Sequence, residues 1–258
     1  MEQVFYIGSY SKAGGYFTDI NGEGLTLCSL DLQTGQLSRK SSYPEAVNAT
    51  YLAKYGDNIL LIASDQYEEP GNVMSFSIDE DGSLKQLSTQ STQGTATCHV
   101  SANKARNQIF VASYMNGRLS VHSIEEGRLS AAKHVHSYEG QGPNTDRQER
   151  SHAHCAMVSP SGKWLYVCDL GSDKIWLHDT ARLTGEFSEV IGIEVPAGYG
   201  PRHLEFDANK DVVYLICELN AHLLTYTLDD STGMLTLVND SPTLPDDYNE
   251  VPSAAAIR

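Results

Sequence analysis

An apolar run that ends in a small residue and then a polar one returns along this chain at near-regular intervals. It reads Val4-Phe5-Tyr6-Ile7-Gly8-Ser9, Ile59-Leu60-Leu61-Ile62-Ala63-Ser64, Gln108-Ile109-Phe110-Val111-Ala112-Ser113, Trp164-Leu165-Tyr166-Val167-Cys168-Asp169 and Val213-Tyr214-Leu215-Ile216-Cys217-Glu218. The steps between copies are 55, 49, 56 and 49 residues. A second element keeps the same beat, an alternating strand that turns through a glycine into an apolar residue: Gly35-Gln36-Leu37, Gly82-Ser83-Leu84, Gly127-Arg128-Leu129, Gly185-Glu186-Phe187 and Gly233-Met234-Leu235. A third precedes the apolar run in four copies, at Thr50-Tyr51-Leu52, Cys98-His99-Val100, Cys155-Ala156-Met157-Val158 and Arg202-His203-Leu204. Each unit therefore reads as four short strands joined by Gly, Asp and Asn turns. No long stretch carries a 3.6-residue apolar period. Units of ~40–50 residues with four strands predict a β-propeller, because one blade leaves both faces wet whereas a ring of blades buries them against neighbours. WD-type repeats fit poorly, since no Trp-Asp or Gly-His punctuation occurs.

The expectation is an all-β fold, a single propeller domain over residues 1–258 with about five four-stranded blades. The first strand of each unit should line the central channel, so that side chains near 99, 154, 202 and 258 converge. The N-terminus starts on a second strand. Residues 252–258, Pro-Ser-Ala-Ala-Ala-Ile-Arg, read as the first strand of another unit. Two arrangements accommodate this: that strand completes the N-terminal blade and closes a ring of five, or the chain is part of a larger propeller.

Composition narrows the partners. The formal net charge of −15 argues against nucleic acid, which needs clustered Lys and Arg to neutralise phosphates. It also means that an anionic substrate would need a locally positive pocket. Hydrophobic residues at 40% suffice for a core, and no apolar run approaches the ~20 residues of a membrane helix. The opening Met1-Glu2-Gln3-Val4 lacks the basic and apolar regions of a secretory leader, so a cytoplasmic protein is expected. The five cysteines, Cys28, Cys98, Cys155, Cys168 and Cys217, are odd in number and widely spaced, and read as small buried hydrophobes in a reducing compartment.

Several segments resemble the seven-bladed lactonase propellers, the family of the propeller-type 6-phosphogluconolactonases and of fungal carboxymuconate cyclases. The stretch from Gln141 to His154, with its Asn144-x-x-Arg147-Gln148 and His152-x-His154 patterns, resembles that family's long loop. Cys98-His99-Val100-Ser101, Ser159-Pro160-Ser161-Gly162 and Gly200-Pro201-Arg202-His203-Leu204 followed by Glu218-Leu219 are similar to its strands, with Ser161 where Asp is usual. The resemblance spans essentially the whole chain. It implies seven blades, hence a further ~80–90 residues after Arg258 on a ~40–50-residue repeat. It implies cofactor-free hydrolysis of 6-phospho-D-glucono-1,5-lactone in the pentose phosphate route, with a small-molecule sugar-phosphate lactone as partner and neither nucleic acid nor membrane. A carboxymuconate lactonising cyclase, or a non-catalytic binding propeller, would use the same channel.

His154, Arg202, Glu218 and Arg258 match residues implicated in the cyclase branch. For lactone hydrolysis the resemblance casts Glu218 as the leading base, His154 as second base or acid, and Arg202 as the oxyanion partner supported by His203. Arg258 and Arg147 are candidates for the phosphate or carboxylate end, because a guanidinium pairs bidentately with either. His99 is either a further substrate contact or a satisfied inner-strand histidine. Asp169, equivalent to Glu218, should lie near the same channel face. Only one of His152 and His154, on a strand or loop, is expected to face the channel. No third and fourth ligand at recognisable spacing accompany that pair, so no metal is expected. His134 and His136 follow the last strand of a blade and read as surface residues. Gly14-Gly15 and Gly22-Glu23-Gly24 lack the strand-to-helix context of a phosphate loop.

Overall fold

The computed structural model describes residues 2–14, 18–67, 69–183 and 189–258. The turn expected at Gly185-Glu186-Phe187 and one residue of the Gly14-Gly15 pair lie outside the described residues. Among the described residues, twenty strands and two single-turn 3₁₀ segments make up the secondary structure, the strands arranged as five antiparallel sheets in chain order. Blade 1 holds β1 (Glu2–Gly8), β2 (Leu25–Asp31) and β3 (Leu37–Tyr43). Blade 2 holds β4 (Ala49–Tyr55), β5 (Ile59–Gln66), β6 (Glu69–Ile78) and β7 (Leu84–Ser91). Blade 3 holds β8 (Thr97–Asn103), β9 (Gln108–Ser113), β10 (Arg118–Glu125), β11 (Arg128–Leu129) and β12 (His134–Ser137), the last two both pairing with β10. Blade 4 holds β13 (Ala153–Val158), β14 (Trp164–Asp169), β15 (Lys174–Asp179) and β16 (Ile191–Glu194). Blade 5 holds β17 (Pro201–Phe206), β18 (Val212–Cys217), β19 (His222–Asp229) and β20 (Met234–Pro242).

The five apolar runs are β1, β5, β9, β14 and β18, the second strand of blades 2 to 5 and the first of the three strands of blade 1. In β5, β9 and β14 the unbroken apolar character goes with burial on both faces, side chains alternating between two neighbours, whereas β1 leaves Val4 and Ile7 exposed. In β5, Leu60 and Ile62 pack towards blade 1 while Ile59, Leu61 and Ala63 pack towards blade 3. In β9, Ile109 and Val111 face blade 2 whereas Phe110 and Ala112 face blade 4. In β14, Leu165 and Val167 face blade 3 whereas Tyr166 and Cys168 face blade 5. Each such fully buried large side chain contributes about 1.5–3 kcal/mol relative to exposure. Tyr166 adds a hydrogen bond from its hydroxyl to the Gly233 carbonyl of the next blade at 2.7 Å.

Two expectations about the molecule's margins need correction or extension. Residues 252–258 are not a strand, and β1 pairs with β2 alone, so the C-terminal segment does not complete the N-terminal blade. An inner strand forms by pairing along a second strand, and this segment makes only isolated contacts, such as Ala254 N–H to the Glu218 carbonyl at 3.2 Å. His134 and His136 are not surface residues: His134 is 7% exposed, and His136 is half-buried, its ring 4.7 Å from that of Tyr138 and edge-on to His178 at 5.6 Å. The Tyr138 hydroxyl donates to His178 Nε2 at 2.6 Å, closing that cluster.

Candidate active site

The four inner strands carry the same irregularity at the same place. The register against the second strand slips between Ala49 and Tyr51 in β4, Thr97 and His99 in β8, Ala153 and Cys155 in β13, and Pro201 and His203 in β17. A bulge leaves one residue unpaired and re-aims its side chain. The unpaired residues are Thr50, Cys98, His154 and Arg202, and all four line one cavity of about 970 Å³ at the channel mouth. The structurally equivalent set is therefore Thr50, Cys98, His154 and Arg202, one residue earlier in blade 4 than the sequence alignment of Cys98 with Cys155 placed it.

The next residue of each inner strand forms the layer beneath. Tyr51, His99, Cys155 and His203 meet there. Tyr51 stands 4.1 Å from His99 and 5.8 Å from His203, centroid to centroid, and His99 Nε2 is 3.5 Å from Cys155 Sγ. His99 is fully buried, its Nδ1 accepts the Ala156 N–H, and it belongs to the floor, not to the cavity lining. His203 does line the cavity, and burial pushes its pKa down to about 4.

Blades 2 and 3 tie their bulge side chains to backbone. Thr50 Oγ1 donates to the Thr97 carbonyl at 2.7 Å, and Cys98 Sγ lies 3.4 Å from the His154 carbonyl. Blades 4 and 5 present theirs as chemistry. Arg202 Nε donates to Glu218 Oε2 at 2.8 Å, and Arg147 reaches Glu218 Oε1 from the opposite side. His154 Nε2 stands 4.0 Å from Glu218 Oε2. Burial, with the positive charge of Arg202 second, holds the His154 imidazole well below its ordinary pKa, so it is neutral. Its buried Nδ1 has no hydrogen-bond partner.

Arg147 is positioned by its loop. Gln148 beside it is fully buried, donates to the Leu170 carbonyl at 2.9 Å and accepts the Asn144 N–H at 3.1 Å. His152 also lines the cavity, so both histidines reach it, against the expectation that only one would: residues two apart in an extended chain share a face. It stacks on Tyr114 at 4.3 Å, with its Nε2 3.1 Å from Glu149 Oε2.

Two expected residues lie elsewhere. Arg258 sits over the Tyr51 ring at 4.8 Å and lines a separate, smaller opening with Lys54 and Lys104, on the other side of the floor. Asp169 is fully buried and accepts from Ser151, Ser172, Trp176 and the His152 and Gly171 N–H groups, a structural knot outside the cavity. Cavity residues missed by sequence include Tyr10, Asp65 and Tyr114. Each stands one position past the polar residue ending an apolar run, so that offset carried a readable signal. Among the described residues, no group of three or more His, Cys, Asp or Glu is arranged to hold a metal, and no helix is long and apolar enough to cross a membrane.

The family described as Lactonase, 7-bladed beta-propeller matches residues 4–258. The 6-phosphogluconolactonase of Bacillus subtilis is 27% identical over 256 residues, covering 98% of this chain and 70% of that one. A Bacteroides fragilis protein of known structure is similar with a TM-score of 0.83 at 27% identity, over 95% of this chain and 69% of that one. The periplasmic gluconolactonase of Pseudomonas aeruginosa reaches the same TM-score, 0.83, at 23% identity, over 96% and 70% of the two chains, a likeness of fold.

Proposed function

The chain belongs to the seven-bladed β-propeller family of lactonases, and on that premise we propose that its cavity hydrolyses a sugar 1,5-lactone of the gluconolactone class. The class includes 6-phospho-D-glucono-1,5-lactone, the substrate implied by the name of the B. subtilis relative. The observation that carries this reading is a neutral imidazole, His154, beside the Arg202–Glu218 pair at the cavity wall.

His154 Nε2 is the base in this scheme. It takes a proton from water as the water oxygen bonds to the lactone carbonyl carbon. The Arg202 guanidinium stabilises the resulting oxyanion, held in place by Glu218. The bond from the carbonyl carbon to the ring oxygen then breaks, and the imidazolium returns its proton to that oxygen. The hydroxy acid forms with one water consumed and no external reductant or oxidant. Glu218, expected from sequence as the leading base, is a positioning residue here, because both its oxygens already accept from guanidiniums.

Hydrolysis of glucono-1,5-lactone and its 6-phosphate, above the spontaneous rate, tests the reading. His154→Gln should lower kcat about 10²-fold or more, the usual span for a general base. A variant that hydrolyses the better substrate at the wild-type rate would remove His154 from the mechanism.

A further inference from the structure

We infer that the cavity selects an uncharged polyhydroxy lactone over its phosphorylated counterpart. This rests on the lactonase reading for its chemistry and on the charge of the cavity wall for its direction. Carboxylates from Asp65, Asp146, Glu149 and Glu218 line the space, against the guanidiniums of Arg147 and Arg202. No lysine lines it.

The two guanidiniums are not free for a phosphate. Both bind the same carboxylate, Glu218, one on each oxygen. A phosphate dianion would have to displace that carboxylate or sit beside it. The imidazoles of His154 and His203 add no positive charge at neutral pH, because burial holds both neutral. Arg258, the remaining expected anion contact, lies beyond the Tyr51 floor.

Asp65 sets the opposite pole. It is 3% exposed and forms no ion pair among the described residues. Its Oδ1 accepts the Tyr67 N–H at 2.8 Å. A carboxylate is an acceptor only, so it suits sugar hydroxyls and repels phosphate. The rings and hydroxyls of Tyr10, Tyr67 and Tyr114 surround the same space and match a polyol. The global charge of −15 adds a repulsive field that dielectric walls focus into the cavity.

The test compares kcat/KM for D-glucono-1,5-lactone and its 6-phosphate, in the intact chain, as a function of ionic strength. The expected preference is about tenfold or more for the uncharged lactone at low salt, since like charges brought together repel. Salt should raise the rate for the phosphate and leave that for the uncharged lactone nearly flat. Asp146→Asn, at an exposed position, and Asp65→Asn should each narrow the preference several-fold. Calorimetric binding of the non-hydrolysable glucono-1,5-lactam and its 6-phosphate gives a readout independent of turnover. Tighter binding or faster turnover of the phosphorylated form overturns the selection. Discrimination between the lactams without hydrolysis of either lactone leaves the selection standing and sinks the lactonase reading instead.

Discussion

Glu218 binds two guanidiniums with one carboxylate, and each comes from a different part of the chain. Arg202 arrives from the adjacent inner strand, Arg147 from the long loop before β13. Removing the charge while keeping the shape should free both. Glu218→Gln is expected to lower kcat/KM about 10²-fold, mostly through kcat, because a guanidinium displaced by about 1 Å no longer meets the oxyanion. Equal rates for wild type and variant would remove Glu218 from the mechanism. Lysine in place of Arg202 should not restore activity, since a point charge cannot bridge carboxylate and oxyanion as a planar fork does. The imidazole gives a separate sign. The positive charge of Arg202 lowers the pKa of His154, after burial. Base catalysis by His154 should therefore persist on acidification past the ordinary histidine range. In Arg202→Gln the acid limb of the kcat/KM–pH profile should move to higher pH. An unmoved limb would mean that another group limits the acid side.

The blade, as an element, was legible in sequence because its signal is additive along the chain. Apolar runs, glycine turns and their spacing each recur, and the second strand of a blade must be apolar on both faces. The bulge was not legible, because it changes register without changing composition. A period of two from Ala153 puts His152 and His154 on one face and says nothing of a residue that drops out of the ladder. The same slip hid the equivalence of His154 with Cys98 and Thr50. Gly200 shows what holds the bulge of blade 5. Its φ of +64° lies in the left-handed region, its N–H donates to Asp173 Oδ1 at 2.8 Å, and its carbonyl accepts the Glu218 N–H at 2.8 Å. A Cβ added there would stand 2.6 Å from Leu219 Cγ. Gly200→Ala should cost about 1–3 kcal/mol in urea unfolding, and it should lower kcat as Arg202 and Glu218 are re-aimed together. A stable variant with full activity would show that the bulge does not depend on this residue.

At the scale of the whole molecule, burial of imidazoles couples the fold to pH. The alternating blades put His122, His136, His154, His178 and His203 between sheets or in the channel, and burial lowers the pKa of every one. In the unfolded chain a histidine takes up a proton near pH 6.5. In the folded chain these groups stay neutral to lower pH, His203 to about 4 and His178 to about 3. Above the unfolded pKa both states are neutral and stability does not depend on these groups. As pH falls below it, the unfolded state binds protons that the native state refuses, and stability declines until the folded pKa is reached. For His203 the window runs from about 6.5 to about 4, and the loss across it is about 3 kcal/mol. One buried and one half-buried carboxyl group oppose this: the pKa values of Asp65 and Glu205 are raised, chiefly by burial, so acid relieves their desolvation. These are two groups against five. Urea midpoints should therefore fall steadily from pH 6.5 to pH 4.5. His203→Gln should flatten that fall by close to one proton's worth of slope while leaving the other four imidazoles to produce the remainder. A midpoint that rises through this window would place the balance with the net charge of −15, whose self-repulsion also weakens in acid. It would mean that the buried histidines are protonated in the folded state.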